Sequence, residues 1–457
     1  MSFAVRDPAT GEVLDEVADA GPDEATAALD AAVDAQEAWA ATPPRERAAV
    51  LLRTRDMLLT RIEEFALLIT REMGKPLAES WAEVQYAADF LQWFAEEAVR
   101  ISGEYRVSPG GDFRIVTTRQ PVGPCLLISP WNFPLAMITR KLGPALAAGC
   151  TAVVKPAEDT PLSCLLLTQV LGEAGLPPGV VNVVTTSRPA PLVERLLADP
   201  RLRKLSFTGS TQVGRLLLAQ AAGNVLRTSM ELGGNAPFLV FADADLDAAV
   251  EGALLAKLRN GGQSCVAANR FLVEEPVAEE FATRFADRMS DVRLAPGTDP
   301  GSRLGPLINA RQVERVAGLV DDAVTRGARV LTGGRAAGPY FPATALTDVP
   351  PSARIHHEEI FGPVAPITTF KDESDALAMA NDTPYGLVAY LYTRDLGRAV
   401  RVGERLETGM VGLNRGLVSN AAAPFGGVKS SGLGREGGFE GIEEYLSTKY
   451  LALDLTS

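Results

Sequence analysis

The sequence has no run of about 18 apolar residues, so it offers no membrane-spanning helix. Its start, Met-Ser-Phe-Ala-Val-Arg-Asp-Pro, has no basic stretch followed by an apolar one, so no signal peptide is expected. Histidine is nearly missing: the two present, His356 and His357, are adjacent. A Cys-His or Ser-His engine has little to draw on, and no metal site is expected. Four cysteines in 457 residues make no disulfide scaffold, and a reducing cytoplasm fits. Cys125 and Cys164 lie in apolar runs and Cys150 closes a small-residue helix, so these three read as structural thiols. Basic residues are outnumbered 44 to 57, a net charge of −13, which disfavours nucleic-acid binding. A local basic pocket for a small anion remains compatible with that surface.

What is present is ordinary in bulk and ordered in pattern. Length suggests roughly two to four domains with room for a large core. Residues 1–17 read as an extended start with a turn at Pro8–Gly11. Residues 23–102 are mostly helical, with Leu51, Leu52, Leu58, Leu59, Ile62, Phe65 and Leu68 at helical spacing. They are assigned no chemistry and are expected to cover a sheet. Pro109-Gly110-Gly111-Asp112 between two β-prone runs predicts a hairpin over 104–119. From 122 to 260 strands and helices alternate, which implies a parallel sheet with helices on both faces. Strands are expected at 122–129, 152–155, 180–184, 204–208 and 228–231, with 238–241 following. A second α/β block spans 233–430, with strands at 271–273, 328–332 and 364–368. The tail, 445–455, is strand-like and is expected to pair with the hairpin or with another subunit. No repeats or low-complexity linkers are evident.

The stretch 257–270 organises the rest. Cys265 follows Gly261 and Gly262, where backbone can approach closely. Upstream, Glu231 precedes Gly233-Gly234, and Asn132 sits between Pro130 and Pro134. A thiol, a carboxylate and an amide donor are the parts for nucleophilic attack on a carbonyl. Taken singly, each also fits a bland role: a buried cysteine, an ion-paired or capping carboxylate, an Asx turn. An active thiol needs a helix N-terminus or a base beside it. Asn132, Lys155, Gly209 and Glu231 all fall at or just after expected strand ends, the edge where α/β sheets bind ligands. Phe207-Thr-Gly-Ser-Thr-Gln-Val-Gly214 reads as strand, turn and helix start, a shape that presents N–H groups to phosphate. It is not the G-x-G-x-x-G fingerprint. Lys155 and Glu158 add a cation and an acid nearby. Arg140, Lys141 and Arg259 are cations in apolar helical segments, suited either to structural salt bridges or to clamping a substrate carboxylate.

At this point the motifs resemble a family. PWNFP at 130–134, KPAEDTP at 155–161, SFTGST at 206–211, MELGGNAP at 230–237, GQSCVAANR at 262–270, EEIFGPV at 358–364 and PFGGVKSSGLGRE at 424–436 are similar, in order and end to end, to the NAD(P)-dependent, non-acylating aldehyde dehydrogenases. The resemblance implies that Cys265 attacks the aldehyde and that Asn132 and the Cys265 amide hold the oxyanion. It implies hydride transfer to nicotinamide, hydrolysis of the resulting thioester by water activated at Glu231, and proton relay through Lys141 and Glu436. It places Lys155 and Glu158 at the adenosine ribose, Gly209 and Ser210 at the pyrophosphate, and Trp131, Glu359 and Phe361 along the cofactor. NAD is expected, with NADP possible, because Glu158 suits ribose hydroxyls while Lys155 and Arg188 tolerate a phosphate.

Within the family the chain is most similar to the succinate-semialdehyde branch, on Arg140-Lys141, Lys257-Leu-Arg259-Asn260 and Gly416-Leu-Val-Ser419-Asn420. There the resemblance implies that Arg140, Arg259 and Ser419 grip the substrate carboxylate. Arg415 departs from the pattern and leaves glutarate semialdehyde or another ω-acid aldehyde open. Ala267 stands where some relatives have a second cysteine, so that redox switch is expected to be absent. Glu231 argues against a CoA-acylating enzyme, and the two arginines would be superfluous in a broad aliphatic one. A silent binding relative would not need Cys265, Glu231 and Asn132 together, and a cofactor-free hydrolase would leave the phosphate cradle idle. The resemblance also implies the fold: a Rossmann-like cofactor domain (1–102 and 122–232), an α/β catalytic domain (233–430) and a bridging β-strand oligomerisation extension (103–121 and 431–457). A homodimer or homotetramer follows from that extension.

Overall fold

Alternation along the central strands decides which side chains meet which layer in this computed structural model, which describes residues 1–455. Cys125 and Leu127 face one way from strand Cys125–Ile128, packing under helices Pro44–Thr60, Leu77–Ala98, Ala136–Ala148 and Leu162–Glu173. Leu126 and Ile128 face the other way, against Pro22–Ala41, Pro189–Leu197 and Thr211–Ala221. Period-two alternation with both faces apolar is what a sheet buried between helix layers requires.

That sheet has six strands in the order Gly432–Leu433, Arg227–Glu231, Lys204–Thr208, Cys125–Ile128, Ala152–Lys155 and Val181–Val183. Five run parallel; Gly432–Leu433 alone is antiparallel, pairing Gly432 with Glu231. The chain passes from Cys125–Ile128 outward to one edge, then returns to lay Lys204–Thr208 on the other side. This reversal opens a crevice beyond the carboxyl ends of those two strands. Trp131, Asn132, Gly209 and Ser210 follow those ends directly.

A second sheet of seven strands runs Arg329–Thr332, Thr344–Thr347, Val364–Phe370, Ala268–Glu274, Ala236–Val240, Val388–Tyr392 and Met410–Leu413. It is parallel except for the first pair. A third sheet is antiparallel: Leu446–Leu453 and Glu104–Val107 flank Arg114–Pro121. The tail therefore pairs with the predicted hairpin of its own chain, and its side chains beyond Leu446 are exposed. Positions 456 and 457, at the end of the predicted extension, lie outside the described residues. The start is more ordered than an extended segment, because Ser2–Arg6 and Val13–Ala18 form a hairpin.

Candidate active site

Cys265 is positioned by backbone that only its neighbours permit. Asn260, Gly261 and Gly262 take three successive left-handed conformations, with φ of 56°, 63° and 72°. A Cβ on Gly262 would lie 2.2 Å from the carbonyl oxygen of Gly362, so the close approach expected of this turn is met. The turn carries Cys265 to the wall of a cavity of about 590 Å³ and then enters strand Ala268–Glu274. Cys265 does not stand at a helix N-terminus, so one of the two expected means of activation is not there. Its thiol is half-buried, and desolvation pushes it up to about 12, with Arg140 pulling the other way. The resting thiol is therefore protonated.

Asn132 is buried and held on every side. Its Nδ2 donates to the carbonyl of Gln263 at 3.0 Å, two residues from the nucleophile. Its Oδ1 accepts from the Phe133 amide at 3.1 Å, and its own carbonyl accepts from Lys75 Nζ at 2.7 Å and Asn260 Nδ2 at 2.9 Å. Lys75 pairs with Glu83 at 2.6 Å, both fully buried, and Glu83 caps the amides of Leu135 and Ala136. The helices expected to carry no chemistry thus supply the frame of the amide donor. That expectation is corrected: Lys75, Glu83 and Tyr86 all bear on the site.

Glu231 is buried, and neither carboxylate oxygen has a hydrogen-bond partner among the described residues. Burial first, then Glu436, hold its proton on well above the usual carboxylate range. Glu436 takes Lys141 and Arg140 at 2.5 Å each, and Lys141 also reaches Ser206 Oγ at 2.9 Å. Burial opposes the Glu436 charge, yet Lys141 and Arg140 together keep its carboxyl below the usual range. The two acids are thus pushed in opposite directions, Glu231 towards holding a proton and Glu436 towards giving one up.

Arg140 is buried, with its guanidinium 4.2 Å over the Phe425 ring, and its Nη2 has no hydrogen-bond partner among the described residues. Arg259 lies 4.7 Å over the Phe133 ring. Both line the cavity with Tyr86, Ser419 and Cys265. Arg415 is exposed beside Tyr392 and is not part of this wall.

The same cavity extends to Trp131, Gly209, Ser210, Glu359 and Phe361, so the groups for chemistry and the expected cofactor groups share one space. Helix Thr211–Ala221 begins there, with Ser210 as its cap. Phe361 holds φ of 53° and meets Trp131 edge-on at 5.3 Å. Glu359 accepts from the Gly234 amide at 3.0 Å, and burial pushes it up to about 7. Lys155 and Glu158 pair at 3.3 Å and stand outside this wall; Glu158 borders a neighbouring cavity of about 470 Å³. Gln312, Arg311 and Arg315 line the main cavity and were not singled out in the sequence. The residues present fit a dinucleotide: a capped helix start after a glycine turn, an aromatic slot, and a buried carboxylate at the end nearest Cys265.

Comparison with known proteins agrees with this geometry. A sequence model of the aldehyde dehydrogenase family matches residues 1–451. The chain is 57% identical over 444 residues to a succinate-semialdehyde dehydrogenase of Paenarthrobacter nicotinovorans, covering 96% of this chain and 99% of that protein. It is 49% identical to a glutarate-semialdehyde dehydrogenase of Pseudomonas putida, covering 100% of this chain and 95% of that one. A crystal structure of an NADP-dependent enzyme from E. coli superposes with a TM-score of 0.98 at 50% identity, covering 100% of this chain and 95% of the other.

Proposed function

The chain belongs to the aldehyde dehydrogenase family, and from that premise we propose that it oxidises succinate semialdehyde to succinate with NAD(P), using Cys265 as nucleophile. The observation that carries the substrate is the excess of donors at the cavity wall. Arg140 Nη2 is buried without an acceptor, and Arg259 and Ser419 stand on the same wall. A carboxylate at the far end of a short aldehyde supplies the missing acceptors in the fork geometry that arginine favours. The relative named for succinate semialdehyde supports this reading. The relative named for glutarate semialdehyde supports a second one, the five-carbon homologue.

In this reading Glu231 in its ionised form takes the Cys265 thiol proton and passes it to Lys141 and Glu436, the sulfur bonds to the aldehyde carbon, and Asn132 Nδ2 with the Cys265 amide stabilises the resulting oxyanion. A bound NAD(P) would supply the acceptor for the hydride that leaves the aldehyde carbon. The acyl group is then a thioester on Cys265. Glu231, again ionised, takes a proton from the water that attacks the thioester carbon; the C–S bond breaks, the acid leaves and the Cys265 sulfur is restored, while Lys141 and Glu436 pass the proton on. Trp131, Gly209, Ser210, Glu359 and Phe361 hold the cofactor, with Lys155 and Glu158 at its ribose. Glu158 favours the ribose hydroxyls of NAD, and its pairing with Lys155 softens repulsion of a 2′-phosphate. The E. coli NADP-dependent relative supports acceptance of NADP. A cytoplasmic homodimer or homotetramer completes the proposal. The exposed three-stranded sheet supports the oligomer, and none of the helices among the described residues is long and apolar enough to cross a membrane.

Glu231→Gln tests the division of labour. It is expected to release about one equivalent of NAD(P)H per site in a burst, then turn over roughly 10²–10⁴-fold more slowly. Cys265→Ala is expected to give no burst. Full steady-state turnover by Glu231→Gln would remove Glu231 from the hydrolytic step.

A further inference from the structure

We infer that the Tyr86 hydroxyl is a specificity-determining donor, giving its proton to the anionic end of the substrate in the Cys265 cavity. This rests on the semialdehyde reading and deepens it.

Tyr86 lies on helix Leu77–Ala98, and its ring tilts against Phe90 with centroids 4.7 Å apart. That contact fixes where the phenol points. The ring lines the cavity, while the hydroxyl oxygen is buried and makes no well-formed hydrogen bond among the described residues. Its polar neighbours are the Arg140 guanidinium and the Ser419 hydroxyl, with the Arg259 charge also in range. Guanidinium groups only donate, and a serine hydroxyl has one proton to give. Tyr86 oxygen can receive from Arg140, and of these neighbours only the Ser419 oxygen can accept the phenolic proton, so the cluster holds more protons than acceptors. Arg140 Nη2 is unsatisfied in the same way. The carboxylate that pairs with Arg140, Glu436, is shared with Lys141.

A buried donor left without an acceptor costs free energy, and phenylalanine would fill the same volume without that cost. The Tyr86 hydroxyl and the arginine beside it are therefore fully satisfied only when something else brings further acceptors. A carboxylate brings two oxygens with about four lone-pair sites. That is enough for Arg140 Nη2, Ser419 and Tyr86 together. The arginines supply charge, which attracts any anion. The neutral phenol supplies direction, because it rewards an acceptor only at the depth it reaches from its helix. Sites built to hydrogen-bond a group discriminate strongly against ligands lacking it.

The test uses the full chain with saturating NAD(P), comparing Tyr86→Phe and Arg259→Ala with wild type on succinate semialdehyde and propanal. Tyr86→Phe is expected to lower the semialdehyde-to-propanal ratio of kcat/KM about tenfold or more, through KM for the semialdehyde. The cofactor-free variant is expected to melt no lower than wild type, since the hydroxyl has no partner to lose. An unchanged ratio in Tyr86→Phe, with the ratio collapsed in Arg259→Ala, overturns the role of Tyr86 and leaves the semialdehyde reading standing. A lowered melting temperature with an unchanged ratio overturns it too, by showing a structural role. Preference of the wild type for propanal overturns both readings.

Discussion

The proposed nucleophile, Cys265, sits in an environment that withholds its charge. Desolvation raises the thiol to about 12, and Arg140 offsets only part of that. Far below its pKa the thiolate fraction grows about tenfold per pH unit. Alkylation of the cofactor-free protein by iodoacetamide is therefore expected to accelerate from pH 7 to 10 without levelling off. A plateau near neutrality, read by mass spectrometry at Cys265, would contradict this account. The sequence made Cys265, Glu231 and Asn132 legible because each sits in a short motif that reads without knowledge of its surroundings. Tyr86, Lys75 and Glu83 were not legible. Each acts across a long separation, as Lys75 does on Asn132 57 residues away and Glu83 on Leu135 52 residues away. On a helix of ordinary amphipathic spacing, nothing marks such a residue as part of a site.

Elements meet through buried acids as well as through apolar faces. Glu72, near the end of helix Ile62–Met73, is fully buried. It accepts from the amides of Leu162 and Ser163 at 2.8 and 3.0 Å, and so ties that helix to the start of Leu162–Glu173. Burial pushes its carboxyl up to about 7 against those hydrogen bonds. A folded-state pKa above the unfolded value means that the folded chain binds the extra proton. The resulting stability is complete below the unfolded value of about 4.5 and is lost as pH rises through about 7. Glu72→Gln removes that dependence. Its stability relative to wild type is expected to rise by a few kcal/mol between pH 4.5 and 7, then stay level, in urea titrations. A difference that is flat with pH would show that Glu72 is ionised in the folded state. The first sheet was readable because strands and helices alternate with short turns. Strands Thr344–Thr347, Val388–Tyr392 and Met410–Leu413 escaped for lack of that cue. Val388–Tyr392 is buried at every position, so it shows no two-residue alternation to separate it from a buried helix.

At the scale of the whole molecule, function sits where two sheets meet. The carboxyl ends of Cys125–Ile128, Lys204–Thr208 and Arg227–Glu231 deliver Asn132, Ser210 and Glu231 to one side of the cavity. The turn entering Ala268–Glu274 delivers Cys265 to the other side. The hydrogen bond from Asn132 to Gln263 crosses between these parts. The strand-end rule foretold the first side; the second depends on how the two sheets dock, which strand patterns do not encode. The central claim is that this junction recognises an aldehyde by the carboxylate at its other end. The most direct test is NAD(P)H formation at saturating cofactor with succinate semialdehyde and with propanal, in wild type and in Arg259→Ala. The account predicts that wild type strongly prefers the semialdehyde, and that Arg259→Ala loses about 2–5 kcal/mol of that preference, roughly 30-fold or more in the kcat/KM ratio. Equal use of both aldehydes by wild type, or a preference untouched in Arg259→Ala, would contradict it.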